Sequence, residues 1–348
     1  MRRYARTLVA VALATTVVTG TAGWASENAQ QALTGPPPGT ASWRADHALG
    51  RELPDPGRST PAEVARFFRG LTAAQQQALV VRHPLVVGNL DGVPVELRYR
   101  ANALSLRAGH DPRYAHLGEG RGRQILAFDP RGRGQVAEVF GDLRTARHVA
   151  VVVPGSDIDA GTFDRTKDVY GTPAGMAKAL YARTGPGSAV IAWAGYTTPV
   201  GLGIDAATGS LAEAGADRLT RFTDGLAADG MPAPTVFCHS YGSVACGLAA
   251  SRLRATDLVV LGSPGMRADD VGDLRTGARV WAAKDATDWI GNVPNVEVAG
   301  LGHGPDPAAP EFGARRVPAD DARGHTGYFA PGTDSLRAFA AITEGKAR

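Results

Sequence analysis

The chain has 348 residues but only two cysteines, Cys238 and Cys246. A small domain stapled by several disulfides is therefore excluded, and a chain of this length can bury a large core without such staples. No group of His, Cys, Asp and Glu has metal-ligand spacing, and no glycine pair forms a phosphate-binding loop. Nothing therefore calls for a metal or an organic cofactor. Internal repeats are absent, as is any block of like charge long enough to act as a nucleic-acid tail. The apolar run at residues 8–18 is short for a membrane span, and no stop-transfer pattern follows it.

That run has the flanks of an export signal instead. Arg2, Arg3 and Arg6 precede it, and Gly23-Trp24-Ala25 supplies small residues where signal peptidase reads. Residues 1–25 are expected to be a signal peptide and the mature protein to be secreted, without an integral anchor. Cleavage removes three of the 37 basic residues and leaves 34 against 34 acidic ones. A chain so balanced offers no electrostatic attraction to nucleic acid or anionic membranes.

Residues 26–57 are rich in Pro, Gly and Ala, with Gly35-Pro36-Pro37-Pro38-Gly39 among them, and read as a flexible linker or arm. Residues 58–110 read as a helical region. Thr60-Pro61-Ala62-Glu63 and Thr72-Ala73-Ala74-Gln75 are capping boxes, and Leu97, Ala101 and Leu104 recur at helical spacing after Pro94. From residue 124 the period changes. Two strand-like runs, 124–129 and 135–140, flank Pro130-Arg131-Gly132-Arg133-Gly134, which is a hairpin signal. Apolar runs at 149–153, 189–194, 235–238, 258–261, 280–283 and 296–299 then alternate with helical stretches at 173–183, 211–226 and 243–253. This predicts an α/β body over 111–348, with a mostly parallel sheet covered by helices on both faces.

Chemistry concentrates at Thr235-Val236-Phe237-Cys238-His239-Ser240-Tyr241-Gly242-Ser243. An apolar strand runs into His-Ser-x-Gly and then a small-residue helix, the context a nucleophile elbow requires. Cys238 stands where the usual pattern has its first glycine. In an exported chain Cys238 and Cys246 are candidates for a disulfide, since both lie at similar depth behind Ser240 on strand and helix. A serine needs a base, and chain order around such an elbow is serine, acid, histidine. Asp285 and Asp288 follow the 280–283 strand, and His303 and His325 come later. Backbone N–H groups for an oxyanion hole would come from Tyr241 and from Gly155 or Ser156, in the loop after strand 149–153.

Beyond the elbow, several motifs occur in order: Gly88-Asn89-Leu90-Asp91-Gly92-Val93-Pro94, Arg100-Ala101-Asn102, Val153-Pro154-Gly155, His239-Ser240-Tyr241-Gly242-Ser243, Gly304-Pro305-Asp306-Pro307 and Gly324-His325 before Tyr328. In these the chain resembles an uncharacterised actinobacterial branch of the α/β-hydrolase superfamily, from about residue 65 onward. The resemblance implies the α/β-hydrolase fold and a serine hydrolase, and favours Asp288 and His325 as acid and base. By analogy of fold alone, the expected substrates are small-molecule or lipid esters. The rival expectation is a hydrolase-like scaffold that binds a ligand or partner without catalysis.

Overall fold

The computed structural model describes residues 29–119 and 122–347. The expected signal peptide, residues 1–25, lies outside the described residues. Helices α1 (Thr40–Arg44), α2 (Pro61–Arg69), α3 (Ala73–Arg82), α4 (Pro84–Asn89) and α5 (Val95–Ala108) come first, with the one-turn helices α6 (Ala115–Gly118) and α8 (Ile204–Ala207) later in the chain. Both capping boxes form, with the Thr60 and Thr72 side chains accepting from the N–H groups of Glu63 and Gln75. The segment expected to be a loose arm is held down. Trp43 is fully buried with Val64, Phe68 and Leu79, and its indole N–H donates to the Pro54 carbonyl at 2.8 Å. Burial of one indole outweighs the Pro/Gly composition around it.

The body is an eight-stranded sheet. Its strands are β1 (Gln124–Asp129), β2 (Gln135–Phe140), β3 (His148–Val153), β4 (Ser188–Ala194), β5 (Thr235–His239), β6 (Asp257–Leu261) and β7 (Arg279–Ala283), with β10 (Arg315–Val317) at the far edge. The order is β1-β2-β4-β3-β5-β6-β7-β10. The β1–β2 and β2–β4 pairs are antiparallel, and the rest are parallel. Both faces are apolar. Val149, Val151, Val153, Val236, Cys238 and Val260 face α9 (Ser210–Ala228) and α10 (Gly242–Ala249). Ala150, Val152, Phe237 and Val259 face α7 (Pro173–Thr184) and α11 (Asp334–Thr343). No helix of the described residues is long and apolar enough to cross a membrane.

The N-terminal helices close the β1 edge. Asn89 Nδ2 donates to the Phe128 carbonyl at 2.7 Å, and Asn89 Oδ1 accepts from Phe128 N–H at 3.1 Å. Arg98 Nε donates to the Leu126 carbonyl and Asn102 Nδ2 to that of Ile125, each at 3.0 Å. Side chains thus replace the missing neighbour strand, which protects the edge from pairing with another chain. This gives the Gly88-Asn89 and Arg100-Ala101-Asn102 motifs a physical role. A Cβ on Gly88 would lie 2.1 Å from Asn102 Oδ1, so the packing admits only glycine there.

The expected strand at 296–299 is a correction. That segment contributes only the two-residue β8 (Glu297–Val298), an exposed hairpin with β9 (Leu301–Gly302), apart from the main sheet. The eighth sheet position belongs to β10, whose Arg-Arg-Val gives no apolar signal. An edge strand needs only one covered face, and Arg315 turns its guanidinium over the Trp281 ring at 5.1 Å.

Replacing Asn89 with Ala removes these bonds and leaves the buried Phe128 N–H unpaired. The expected loss is about 2–3 kcal/mol of unfolding free energy, read by denaturant titration, with increased aggregation as the β1 edge opens.

Candidate active site

The centre of the molecule is a backbone constraint. β5 ends at His239, Ser240 adopts the left-handed conformation (φ 53°), and α10 begins at Gly242. Ser240 N–H donates to the Leu261 carbonyl at 3.0 Å, so its N–H is held by the neighbouring strand while the chain reverses. A left-handed non-glycine residue is strained, and such strain persists only where the surroundings enforce it. Here they do. A Cβ on Gly155 would lie 2.5 Å from Ser240 Cβ and 3.0 Å from its Oγ, and a Cβ on Gly242 would lie 2.6 Å from the Pro154 carbonyl oxygen. The loop after β3 therefore touches the elbow, and Tyr241 N is 3.1 Å from that same Gly155 position. Ser156 follows in the same loop. Behind the serine, Cys238 and Cys246 are joined by a disulfide that links β5 to α10.

His325 and Asp288 meet at the C-terminal end of the sheet. His325 Nδ1 is 2.9 and 3.1 Å from the two Asp288 oxygens. The carboxylate can only accept, so Nδ1 carries a proton, and it is the tautomer with Nε2 free that can act as proton acceptor. The imidazole touches two aromatic rings, with its centroid 4.6 Å from His239 and 4.6 Å from Trp289. His239, which precedes Ser240, donates its Nε2 proton to the His325 carbonyl at 2.7 Å. Burial pushes His239 down to about 3, and the adjacent His325 pushes the same way. It stays neutral and fixes the backbone of its neighbour.

Burial alone would raise Asp288. Bonds from His325, from the Tyr328 hydroxyl (2.6 Å) and from Ile290 N–H (2.9 Å) outweigh it and hold the carboxyl below its ordinary value. Gly262, at φ 54°, makes room for the pair. A Cβ there would lie 2.9 Å from Asp288 Oδ2 and 3.1 Å from the His325 ring.

The other two candidates sit in different surroundings. Asp285 accepts from Thr287 N–H at 2.8 Å and from Gly324 N–H at 3.0 Å, so it anchors the loop that carries His325 rather than touching the imidazole. Its own N–H donates to the Tyr328 hydroxyl at 3.1 Å, so Tyr328 ties the two aspartates together. His303 donates to the Ala206 carbonyl at 2.7 Å and packs edge-on against the Tyr241 ring, 5.5 Å between centroids. Sequence reasoning assigned no role to Tyr328, Gly262 or Trp289. Tyr328 was visible inside the histidine motif, while Gly262 has no signal beyond its place after an apolar strand.

Residues 129–298 match the profile of a protein family described as Alpha/beta hydrolase. The match takes in just under half of the chain, whose sheet has the α/β-hydrolase fold. An uncharacterized protein of Mycobacterium tuberculosis, found in two strains, is 30% identical over 375 residues, covering 84% of this chain and 57% of the relative. The chain thus spans just over half the length of these curated relatives. Among solved structures, a predicted CIB-like hydrolase from Thermoplasma acidophilum is similar at 15% identity and a TM-score of 0.39, covering 64% of this chain and 97% of that one. An α/β serine hydrolase without lid from Xanthomonas campestris is similar at 16% identity and a TM-score of 0.36, covering 66% and 94%.

A Tyr328→Phe substitution removes one donor to Asp288 and the acceptor for Asp285 N–H. The Asp288 carboxyl then moves back up toward its ordinary range, readable by carboxyl NMR titration. A depressed carboxyl stabilises the fold above the unfolded-state value of about 3.9 and loses that contribution as pH falls through its folded value. The variant is therefore expected to be less stable by about 1–2 kcal/mol at pH 7, with the deficit shrinking in strong acid. An unmoved titration would contradict the assigned bond.

Proposed function

We propose that the protein is a secreted serine hydrolase acting on carboxylic esters, lipid esters included. Ser240 attacks the carbonyl carbon while His325 Nε2 takes the serine proton. Asp288 keeps the imidazole in the tautomer that leaves Nε2 unprotonated and stabilises the imidazolium that forms. The N–H of Tyr241, with that of Gly155 or Ser156, receives the developing oxyanion. His325 then returns the proton to the leaving alkoxide. Water, deprotonated by the same histidine, attacks the acyl-enzyme and releases the acid and free Ser240. Residues 1–25 direct export and are removed.

The observation that carries this reading is the His325–Asp288 pair, with the imidazole packed against the residue that precedes a left-handed serine. The disulfide behind that serine suits an oxidising, extracellular compartment.

A fluorophosphonate probe followed by peptide mass analysis tests it. Ser240 is expected to be the labelled residue, and Ser240→Ala and His325→Ala to lose ester hydrolysis by at least about 10³-fold, the scale typical of triad members. Asp288→Asn is expected to fall nearly as far, and Asp285→Asn and His303→Ala far less. Folded protein that never labels at Ser240 would instead favour a ligand-binding scaffold without catalysis. p-Nitrophenyl esters of rising chain length then define the acyl preference.

A further inference from the structure

The loop after β3, residues 154–158, has few backbone donors to offer a negative charge at Ser240. Pro154 has no N–H. Asp157 N–H donates to the Pro199 carbonyl at 2.8 Å, and Ile158 N–H donates to Thr198 Oγ1 at 3.2 Å. Among the described residues, the N–H groups of Gly155 and Ser156 have no such acceptor. Gly155 is also the residue that approaches Ser240 and Tyr241 N.

Both engaged N–H groups are held by one segment, residues 196–201, which leaves the C-terminal end of β4. Its contacts run the length of the loop. The Tyr196 hydroxyl donates to the Pro154 carbonyl at 2.7 Å. Thr198 bonds Ile158 twice, since Oγ1 accepts the N–H and donates to the carbonyl at 2.7 Å. Gly201 N–H donates to Asp157 Oδ1 at 2.8 Å. Asp157 itself is left-handed, at φ 64°, a conformation that persists only where neighbours enforce it.

The segment is anchored in turn. Tyr196 and Thr198 are buried. The Tyr196 ring stacks on Trp193, 5.9 Å between centroids. α9 admits that ring because residue 215 is glycine, where a Cβ would lie 2.8 Å from it. Arg133 donates to the Thr198 carbonyl at 3.0 Å and pairs with Asp159 at 2.9 Å, and Leu33 N–H donates to Thr197 Oγ1 at 3.1 Å. Buried hydroxyls need partners anywhere in a protein. These two take theirs from the first and the last residue of one five-residue loop, and so fix the loop between them.

We propose that Tyr196 and Thr198 are positioning residues, which clamp residues 154–158 so that the N–H groups of Gly155 and Ser156 face the oxyanion formed at Ser240. The inference rests on the reading of Ser240 as nucleophile. Such donors stabilise developing charge because they are fixed before it appears. Releasing the clamp therefore weakens transition-state binding and leaves ground-state binding in place.

Thr198→Val removes both bonds to Ile158, Thr198→Ser keeps the hydroxyl, and Tyr196→Phe removes only the bond to Pro154. With p-nitrophenyl acetate, Thr198→Val and Tyr196→Phe are each expected to lower kcat about tenfold or more at nearly constant KM, short of the roughly 10²–10³ that follows deletion of an oxyanion donor. Thr198→Ser is expected to recover most of the loss. A trifluoromethyl ketone, which adds to the serine hydroxyl as a tetrahedral oxyanion, should bind more weakly by the factor that kcat/KM falls. Rates are taken per active site titrated with a fluorophosphonate, so that a variant that merely unfolds loses sites and not rate per site. Hydrogen exchange read by mass spectrometry should quicken at Asp157 and Ile158 in Thr198→Val and not in β3. Wild-type rates per site in Thr198→Val and Tyr196→Phe overturn the proposal. So does a loss confined to KM, a ketone that binds as tightly as before, or a serine variant no faster than the valine one. A wild-type chain that neither labels at Ser240 nor hydrolyses the ester sinks the reading of Ser240 and the proposal with it, whereas an active wild type with unaffected variants sinks the clamp alone.

Discussion

The close approach of three backbone segments at Ser240 governs the rest of this structure. β5 must end, the chain must reverse through a left-handed serine, and α10 must start within van der Waals distance of the loop after β3. Gly155 and Gly242 are glycines because any side chain would collide with Ser240 or with the Pro154 carbonyl. The central place of β5 in the sheet, the small residues of α10 and the disulfide between them all serve that geometry. Conformational strain at one residue is held by a parallel sheet that cannot relax without losing its core.

The second constraint is the shared anchoring of the acid and histidine segments. They are far apart in sequence, yet Tyr328 and Asp285 bind them to each other. The Tyr328 hydroxyl accepts from Asp285 N–H and donates to Asp288, and Asp285 accepts from Gly324 N–H, one residue before the histidine. Of the two aspartates, one faces the imidazole and the other holds its loop. This division explains why two carboxylates three residues apart are both buried without repelling each other: each is satisfied by its own donors.

Much of this was legible in the sequence because it rests on local rules. The capping boxes of α2 and α3, the hairpin signal before β2 and the strand–turn–helix of the elbow each follow from a few adjacent residues. The disulfide candidate followed from strand and helix rise. What the sequence hid was tertiary. The Pro/Gly-rich arm gave no sign that Trp43 would anchor it. β10 shows no apolar pattern because it lies at an edge under arginines, and Val296–Val298 read as core although those residues are exposed. The choice between Asp285 and Asp288 depends on which carboxylate the His325 loop reaches, a distance that spacing does not encode.

On the proposed function, Ser240 and His325 act as parts of one catalytic unit. The most direct test is a double-mutant cycle on ester hydrolysis, with Ser240→Ala, His325→Ala and the two combined. Groups that act on the same step are not additive. The combined variant should be no slower than either single one. Losses that multiply would mean that the two residues act independently, and would contradict the account.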